Sequence, residues 1–301
     1  MPNDSRPHDT WRVIDVLGWT RGFFQSRGIE PARLEAEVLL AHVLGMKRVM
    51  LYARFDQPLS TEERDRYREL VRRRAAHEPV AYLVGHREFW SLRIDVEPGV
   101  LIPRPDSELL VQLALDRLPH REVQVADVGT GSGALALALA SERRDARVWA
   151  TDTSETAVGV AAANARRLGL DDRVHVALGD LLQGVDSTVR LDLIVANLPY
   201  IPTAQIEELM SEVRKHEPRE ALDGGADGLA LIERLVAHAP ERLTDDGWLM
   251  LEAGADDVPR LRRRLMDAGW RDVEAHSDLA GRLRAVVARS PGTGRSAPGT
   301  P

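Results

Sequence analysis

From Val123 onward the chain repeats one rhythm, a short apolar run followed by a helical stretch, and few folds accept that rhythm. Strands separated by helices lie parallel, and the helices then cover both faces of the sheet. The expected strands are Val123–Val128, Arg147–Asp152, Arg173–Leu178, Leu191–Asn197 and Gly247–Ala253. Helices fit Gly133–Glu142, Ser154–Leu168, Asp227–Leu243 and Val258–Ala268, while Arg271–Ala275 and Arg284–Arg289 can form a terminal hairpin. The fold class this implies is α/β, with a doubly wound, Rossmann-like sheet. Ligands of such sheets bind outside the carboxyl ends of the strands, so the residues after each run are the ones to read for chemistry.

After the first strand comes Asp127-Val128-Gly129-Thr130-Gly131-Ser132-Gly133, running into an Ala/Leu-rich helix. Glycines let the chain turn tightly and let a ligand approach the backbone, and a helix N-terminus offers free N–H groups and a positive dipole end. The loop suits a phosphate or a carboxylate and does not choose between them. Gly129, Gly131 and Ala134 also satisfy the dinucleotide pattern Gly-x-Gly-x-x-Gly/Ala. Asp152 ends the second strand, 19 residues after Gly133, where a carboxylate can accept hydrogen bonds from ribose hydroxyls. Asp180, after the third strand, could accept from an adenine amino group with Leu181 beside it; alone it would read as a helix cap.

The fourth strand ends in Asn197-Leu198-Pro199-Tyr200. Asn carries an acceptor and two donors on one carboxamide, and Tyr a flat ring with a polar tip. Pro199 fixes its own φ and pushes Leu198 into an extended conformation, so the Leu198 carbonyl is held stiffly beside the Asn197 side chain. Two acceptors and an aromatic wall make a socket for a planar NH2 group. An adenosine lying across the first three strand ends would face its reactive end to this fourth one.

The rest of the chain sets the context. Trp11 to about Ala76 reads as helical, with Val13, Val16, Leu17 and Phe24 on one face and Leu34, Val38, Leu39, Val43 and Leu44 on another. Ser60 is the candidate N-cap of a helix with Glu63 at the capping-box position, and Arg72-Arg73-Arg74 is a solvated helix face or a basic contact patch. Phe89–Val96, Glu97-Pro98-Gly99 and Val100–Ile102 read as strand, turn and strand. Arg104, between two prolines, could orient an acidic partner or make a structural salt bridge. The expected organisation is a tail over 1–10, a helical substrate-docking domain over 11–85, a hairpin linker over 86–105, the sheet domain over 106–290 and a second tail over 291–301.

Net charge is −7, yet residues 11–90 hold 14 Lys/Arg against 11 Asp/Glu, so the small helical domain is the better docking surface for an anionic partner. The overall balance argues against a broad nucleic-acid-binding surface. There is no Cys, which suits a reducing cytoplasm; there is no signal-peptide pattern and no membrane-length apolar run.

Beyond the strand-end motifs, the segments Glu78-Pro79-Val80-Ala81-Tyr82-Leu83-Val84-Gly85 and Val100-Leu101-Ile102-Pro103-Arg104-Pro105-Asp106-Ser107-Glu108 are distinctive. So are His216-Glu217-Pro218-Arg219-Glu220-Ala221-Leu222-Asp223-Gly224-Gly225-Ala226-Asp227-Gly228-Leu229 and Asp278-Leu279-Ala280-Gly281-Arg282. With these the chain resembles the class I S-adenosylmethionine-dependent methyltransferases, specifically the protein-(glutamine-N5) methyltransferases of the PrmC/HemK type. The resemblance implies S-adenosyl-L-methionine as cofactor and, as substrate, the glutamine of the Gly-Gly-Gln motif of peptide-chain release factors. It implies a cytoplasmic monomer that binds neither membrane, metal nor specific nucleic-acid sequence. The expected cofactor residues are Asp127, Gly129, Thr130, Gly131, Ser132, Gly133, Asp152, Asp180, Leu181 and Asn197, and the expected catalytic residues are Asn197, Leu198, Pro199 and Tyr200.

Three segments depart from the family pattern: Leu198 where Asn-Pro-Pro-Tyr is common, Asp106-Ser107 for Glu-Thr, and Glu252-Ala253-Gly254 for Glu-Ile-Gly with Asp257 in place of Gln. None removes an implied catalytic group. Competing readings are glutamine methylation of a ribosomal protein, an N6-adenine or N4-cytosine nucleic-acid methyltransferase with a base-flipping pocket, a non-catalytic adenosyl-binding adaptor, and a dehydrogenase, which leaves Asn197–Tyr200 unexplained.

Overall fold

The computed structural model describes residues 11–292, so the tail expected at 1–10 and all but the first two residues of the one expected at 291–301 lie outside the described residues. In chain order the helices of the first part are α1 (Val13–Ser26), α2 (Ala32–Val43), α3 (Met50–Ala53), α4 (Thr61–Ala75) and α5 (Val80–Val84). A hairpin of β1 (His86–Phe89) and β2 (Leu92–Asp95) follows, then α6 (Glu108–Arg117), β3 (Val123–Val128), α7 (Ala134–Glu142), β4 (Ala146–Asp152), α8 (Glu155–Leu168), β5 (Val174–Leu178) and β6 (Leu191–Ala196). The chain continues through α9 (Ser211–His216), α10 (Ala230–His238), β7 (Leu243–Glu252), α11 (Val258–Asp267), β8 (Arg271–Ser277) and β9 (Leu283–Arg289). It divides into two units, the first running to Gly85 and taking in Ser211–His216, the second holding the remainder.

The helical unit closes around Val13, Val16 and Phe24 of α1, Ala36, Leu39, Leu40 and Val43 of α2, and Tyr67 and Val71 of α4. Leu34 does not join the stripe expected of it and stays 40% exposed, because Ala32 and Ala36 take the inward positions of α2. The capping box forms as expected: Glu63 N donates to Ser60 Oγ at 3.1 Å and Ser60 N to Glu63 Oε2 at 2.7 Å. The arginine run makes no free basic patch. Arg72 pairs with Glu69, Arg73 with Glu78, and Arg74, only 3% exposed, with Glu35 and Glu212. Burial pushes the Glu35 carboxyl up, and the Arg74 guanidinium beside it opposes the shift.

In the second unit seven strands lie in the order β5-β4-β3-β6-β7-β9-β8. The first five of these are parallel, and β9 runs antiparallel between β7 and β8. Winding reverses between β3 and β6, the switch point where such sheets bind ligands. Ala126 and Val128 of β3, Ile194 and Ala196 of β6, and Leu249 and Leu251 of β7 pack with Ile232 and Leu235 of α10 and Leu261 and Leu265 of α11. Alternation along a strand sends Asp127, Asn197 and Glu252 to the opposite face. That is the face of α7, whose Ala/Leu sequence is buried from Ala134 to Ala140, as a helix apolar all round must be.

Some boundaries differ from expectation. The hairpin turns at Trp90-Ser91, both at positive φ (51° and 59°), so Val96–Ile102 is loop and the strand expected at Val100–Ile102 is absent. Two residues at positive φ give the turn twist that matches paired strands, and this pre-empts a turn at Glu97-Pro98-Gly99. The helix expected over 227–243 is shortened to α10, since Gly228 (φ 79°) belongs to a tight loop and Pro240 to a 3₁₀ turn. The strand after it begins at Leu243 rather than Gly247.

Candidate active site

A pocket of about 430 Å³ opens at the carboxyl edge of the parallel strands. Its wall takes Gly129–Ser132 after β3, Asp152–Ser154 after β4, Gly179–Leu181 after β5 and Asn197–Pro199 after β6. Expected site residues from four separated stretches are thus brought together. Asp127, Gly133 and Tyr200 flank these stretches in the chain.

Each of those three has a visible reason to be there. Asp127 is fully buried; its Oδ2 accepts from Thr130 Oγ1 at 2.6 Å and from Ala136 N at 3.0 Å, tying the loop to the first turn of α7. Its Oδ1 is buried without a hydrogen-bond partner among the described residues. Burial pushes the Asp127 carboxyl up to about 6, against the pull of the Thr130 and Ala136 donors. Gly133 (φ 85°) lies against α8, where a Cβ would come 3.2 Å from the Ala161 Cβ. At Gly129 a Cβ would meet the Leu198 Cδ2 at 2.9 Å, so the glycine loop and the Asn-Leu-Pro-Tyr turn touch. Leu198 itself is buried in the core cluster under α10 and α11.

Asp152 accepts from Gly131 N at 2.8 Å with one oxygen and from Ser154 N at 2.9 Å with the other, fixing the loop and the start of α8 with one carboxylate. Each oxygen keeps a second lone pair for a ligand hydroxyl. Asp180 is paired with Arg234 of α10 at 2.5 Å, and Leu181 adopts a positive φ of 51°. Asn164 is a residue that sequence reading passed over. Buried in α8, it donates to Ser132 O and Asp95 O and accepts from Asp95 N, clamping the hairpin to the glycine loop. A lone Asn on an Ala-rich buried face was the available signal.

At the other end of the pocket, strand register decides the neighbours. Ala196 pairs with Leu251, so Asn197 and Glu252 are the next positions along adjacent strands, on one face. A 3₁₀ turn at Pro105–Ser107 brings Ser107 over them as α6 begins. Asn197 Nδ2 donates to Ser107 Oγ at 2.9 Å, and Ser107 Oγ donates to Glu252 Oε2 at 2.5 Å. The Tyr200 hydroxyl donates to Glu252 Oε1 at 3.2 Å. Glu252 is 1% exposed; burial pushes its carboxyl up, the Ser107 and Tyr200 donors and the Arg284 charge pull it down, and Asp106 adds to the rise. Burial, with the Glu252 charge adding to it, also raises the Tyr200 phenol. Ser107 and Glu252 stood in segments noted for their resemblance, but nothing local marked them as partners of Asn197.

Two further segments hold this end in place. Arg104 makes the structural salt bridge, to buried Glu217 at 2.6 Å, and Glu217 also accepts from Ile102 N. Gly224 and Gly228 pack directly on the turn. A Cβ at Gly224 would lie 2.8 Å from both Pro199 O and Tyr200 Cα, and one at Gly228 would lie 2.5 Å from Tyr200 O. Gly224 N donates to Ile201 O, and Ile201 N to Leu222 O, so the glycine segment buttresses residues 199–201.

Known proteins are similar to this chain over most of its length. A family model for the PrmC N-terminal domain matches residues 15–85, and one for ribosomal protein L11 methyltransferase (PrmA) matches residues 109–224. Among solved structures, a methyltransferase from Pyrococcus furiosus aligns at a TM-score of 0.50 and 18% identity, over 66% of this chain and 89% of its own, which speaks for the fold alone. The release factor glutamine methyltransferase of Geobacter sulfurreducens is 48% identical over 82% of this chain and 85% of its own length. That of Rhodopirellula baltica is 44% identical over 80% and 83%, and that of Xylella fastidiosa (strain 9a5c) 43% over 86% and 94%. Identity of this degree spans both the helical unit and the sheet, and on that ground the chain belongs to the release factor glutamine methyltransferase family.

Proposed function

We propose that this protein transfers a methyl group from S-adenosyl-L-methionine to the side-chain amide nitrogen of a glutamine presented by a peptide-chain release factor. The observation that carries the reading is the Asn197 carboxamide at the end of β6, anchored by its nitrogen on Ser107 and lining the same pocket as the glycine loop. The donor set fits an adenosyl ligand: a glycine loop at a helix start for the amino-acid end, Asp152 for ribose hydroxyls, and Asp180 with Leu181 for adenine. Asp180 would share its carboxylate with Arg234 or exchange that partner for the ligand. When bound, the cofactor supplies an electrophilic methyl carbon on a sulfonium.

The chain's own residues do the rest. A carboxamide nitrogen is a poor nucleophile because its lone pair is delocalised into the carbonyl. The Asn197 Oδ1 and the Leu198 carbonyl accept its two N–H bonds, favour localisation of the lone pair and stabilise the positive charge that develops on nitrogen. Held in this way, the nitrogen is aligned for displacement, and positioning supplies much of the acceleration. Tyr200, its hydroxyl held on Glu252, is the aromatic wall of this socket and packs on the plane of the amide.

In single-turnover assays with a whole release factor, Asn197→Ala should lower the rate about 100- to 1,000-fold while calorimetry finds cofactor affinity nearly unchanged. Full turnover by that variant would sink the reading. Docking of the protein substrate we assign to the helical unit, where Val49, Tyr52 and Phe55 are exposed beside Arg48 and Arg54. Val49→Asp with Phe55→Asp should raise KM for the release factor and leave cofactor binding alone; an unchanged KM would refute that assignment. The matches over both units favour a release factor over a ribosomal protein or a nucleic acid as substrate, and a cytoplasmic site of action. Among the described residues no helix is long and apolar enough to cross a membrane.

A further inference from the structure

A carboxamide can be turned end for end with little change of shape, and only one orientation of Asn197 offers an acceptor to the pocket. We propose that Glu252, acting through Ser107, is the positioning group that sets this orientation. The proposal rests on the reading that Asn197 holds the acceptor amide.

Hydrogen-bond polarity sets the orientation. A serine hydroxyl has one proton to give. Ser107 gives it to Glu252 Oε2 at 2.5 Å, so toward Asn197 it can only accept, and Asn197 Nδ2 lies 2.9 Å away. The nitrogen end is thereby committed to Ser107, and Oδ1 is left for the pocket. Tyr200 donates to the second carboxylate oxygen at 3.2 Å, so when ionised Glu252 accepts a hydrogen bond on both oxygens. Arg284 of β9 adds a positive charge on this side and is itself paired with Asp106 at 3.1 Å.

Reversing the polarity shows what is at stake. With Glu252 protonated, its own O–H can donate to Ser107, whose hydroxyl is then free to donate to Asn197 Oδ1. The amide NH2 would then face the pocket and oppose the N–H bonds of the acceptor glutamine, donor against donor. The groups that face Glu252 are Ser107 and Asp106 from the loop before α6, Tyr200 from the turn after β6 and Arg284 from β9. The contact is long-range in sequence, with Ser107 lying 145 residues from Glu252 and 90 from Asn197.

The test uses the full-length enzyme with a whole release factor and S-adenosylmethionine, reading kcat, KM, the pH profile of kcat, and cofactor affinity by calorimetry. Glu252→Gln and Ser107→Ala should each lower kcat roughly 10- to 100-fold, by analogy with the loss of a group that orients a metal ligand, with cofactor affinity held within about twofold. Ser107→Thr, which keeps the hydroxyl, should restore most of the rate. Wild type should lose kcat as pH falls and Glu252 takes up its proton, and Glu252→Gln should lack that limb. Wild-type kcat in Glu252→Gln and Ser107→Ala alongside an inactive Asn197→Ala would overturn the relay and leave the proposed function standing. Full activity in Asn197→Ala would overturn both. A loss in Ser107→Ala that Ser107→Thr fails to restore would mark Ser107 as structural only, and overturn the relay as well.

Discussion

Replacing Gly224 by alanine adds one methyl group where three backbone atoms already stand: Gly228 O at 2.5 Å, Pro199 O at 2.8 Å and Tyr200 Cα at 2.8 Å from the new carbon. The φ of Gly224 lies outside the left-handed region, so the difficulty is space, not backbone strain. Overpacking of this kind costs about 1–3 kcal/mol, sometimes more, and here main chain must yield instead of the end of a flexible side chain. Against it stands the reduced freedom of the unfolded chain on Gly→Ala, about 0.4–1 kcal/mol. The net loss is about 1.3 kcal/mol at mid-range, or a melting temperature lowered by roughly 2–3 °C for a chain of this size. The atoms that must move carry Asn197 and Leu198 on the same turn, and a shift of ~1 Å in a positioning group can cost about 100-fold in rate. Gly224→Ala should therefore lose about two decades in kcat while calorimetry finds cofactor binding close to normal, because the glycine loop and Asp152 lie on other strand ends. Thermal melts and single-turnover methylation of a whole release factor read both effects. Unchanged melting together with an unchanged rate would refute the reasoning that this glycine buttresses the turn.

The Asp127 carboxyl, raised by burial from 3.8 to about 6, contributes stability that is complete below its unfolded value and lost as pH rises through about 6. The stability of wild type relative to Asp127→Asn should fall by about 2.4 kcal/mol between about pH 4 and pH 7, since holding a proton against each pH unit is worth about 1.4 kcal/mol. A pH-independent difference in urea unfolding would contradict this. Asp152→Ala removes the acceptor for Gly131 N and Ser154 N as well as the proposed ribose contact. Cofactor affinity should drop by about 1.5–3 kcal/mol, and calorimetry finding wild-type affinity would remove Asp152 from the site.

What the sequence alone determined was whatever neighbouring residues encode. The strand–helix rhythm from Val123 named the sheet, because buried parallel strands and covering helices differ in period and length. The glycine loop after β3 and the capping box of Ser60 and Glu63 were legible for the same reason: each is settled by residues within one turn of chain. The acidic residues after β4 and β5 and the Asn-Leu-Pro-Tyr turn were legible too, as sheet topology alone gathers strand ends along one edge. Tertiary structure decided the partners of buried polar groups. Arg72-Arg73-Arg74 read as exposed charge, yet Arg74 is buried between Glu35 and Glu212, which local spacing does not relate to it. Tyr200 read as an aromatic wall, and nothing near it in sequence told that its hydroxyl donates to Glu252. Glu252 lies beside Asn197 only because Ala196 pairs with Leu251 across β6 and β7, and Ser107 reaches both only because α6 begins over that register. Periodicity shows which face a residue takes, but the distances between faces are set by the register of strands far apart in the chain. A buried carboxylate has no local signature until that register supplies its donors.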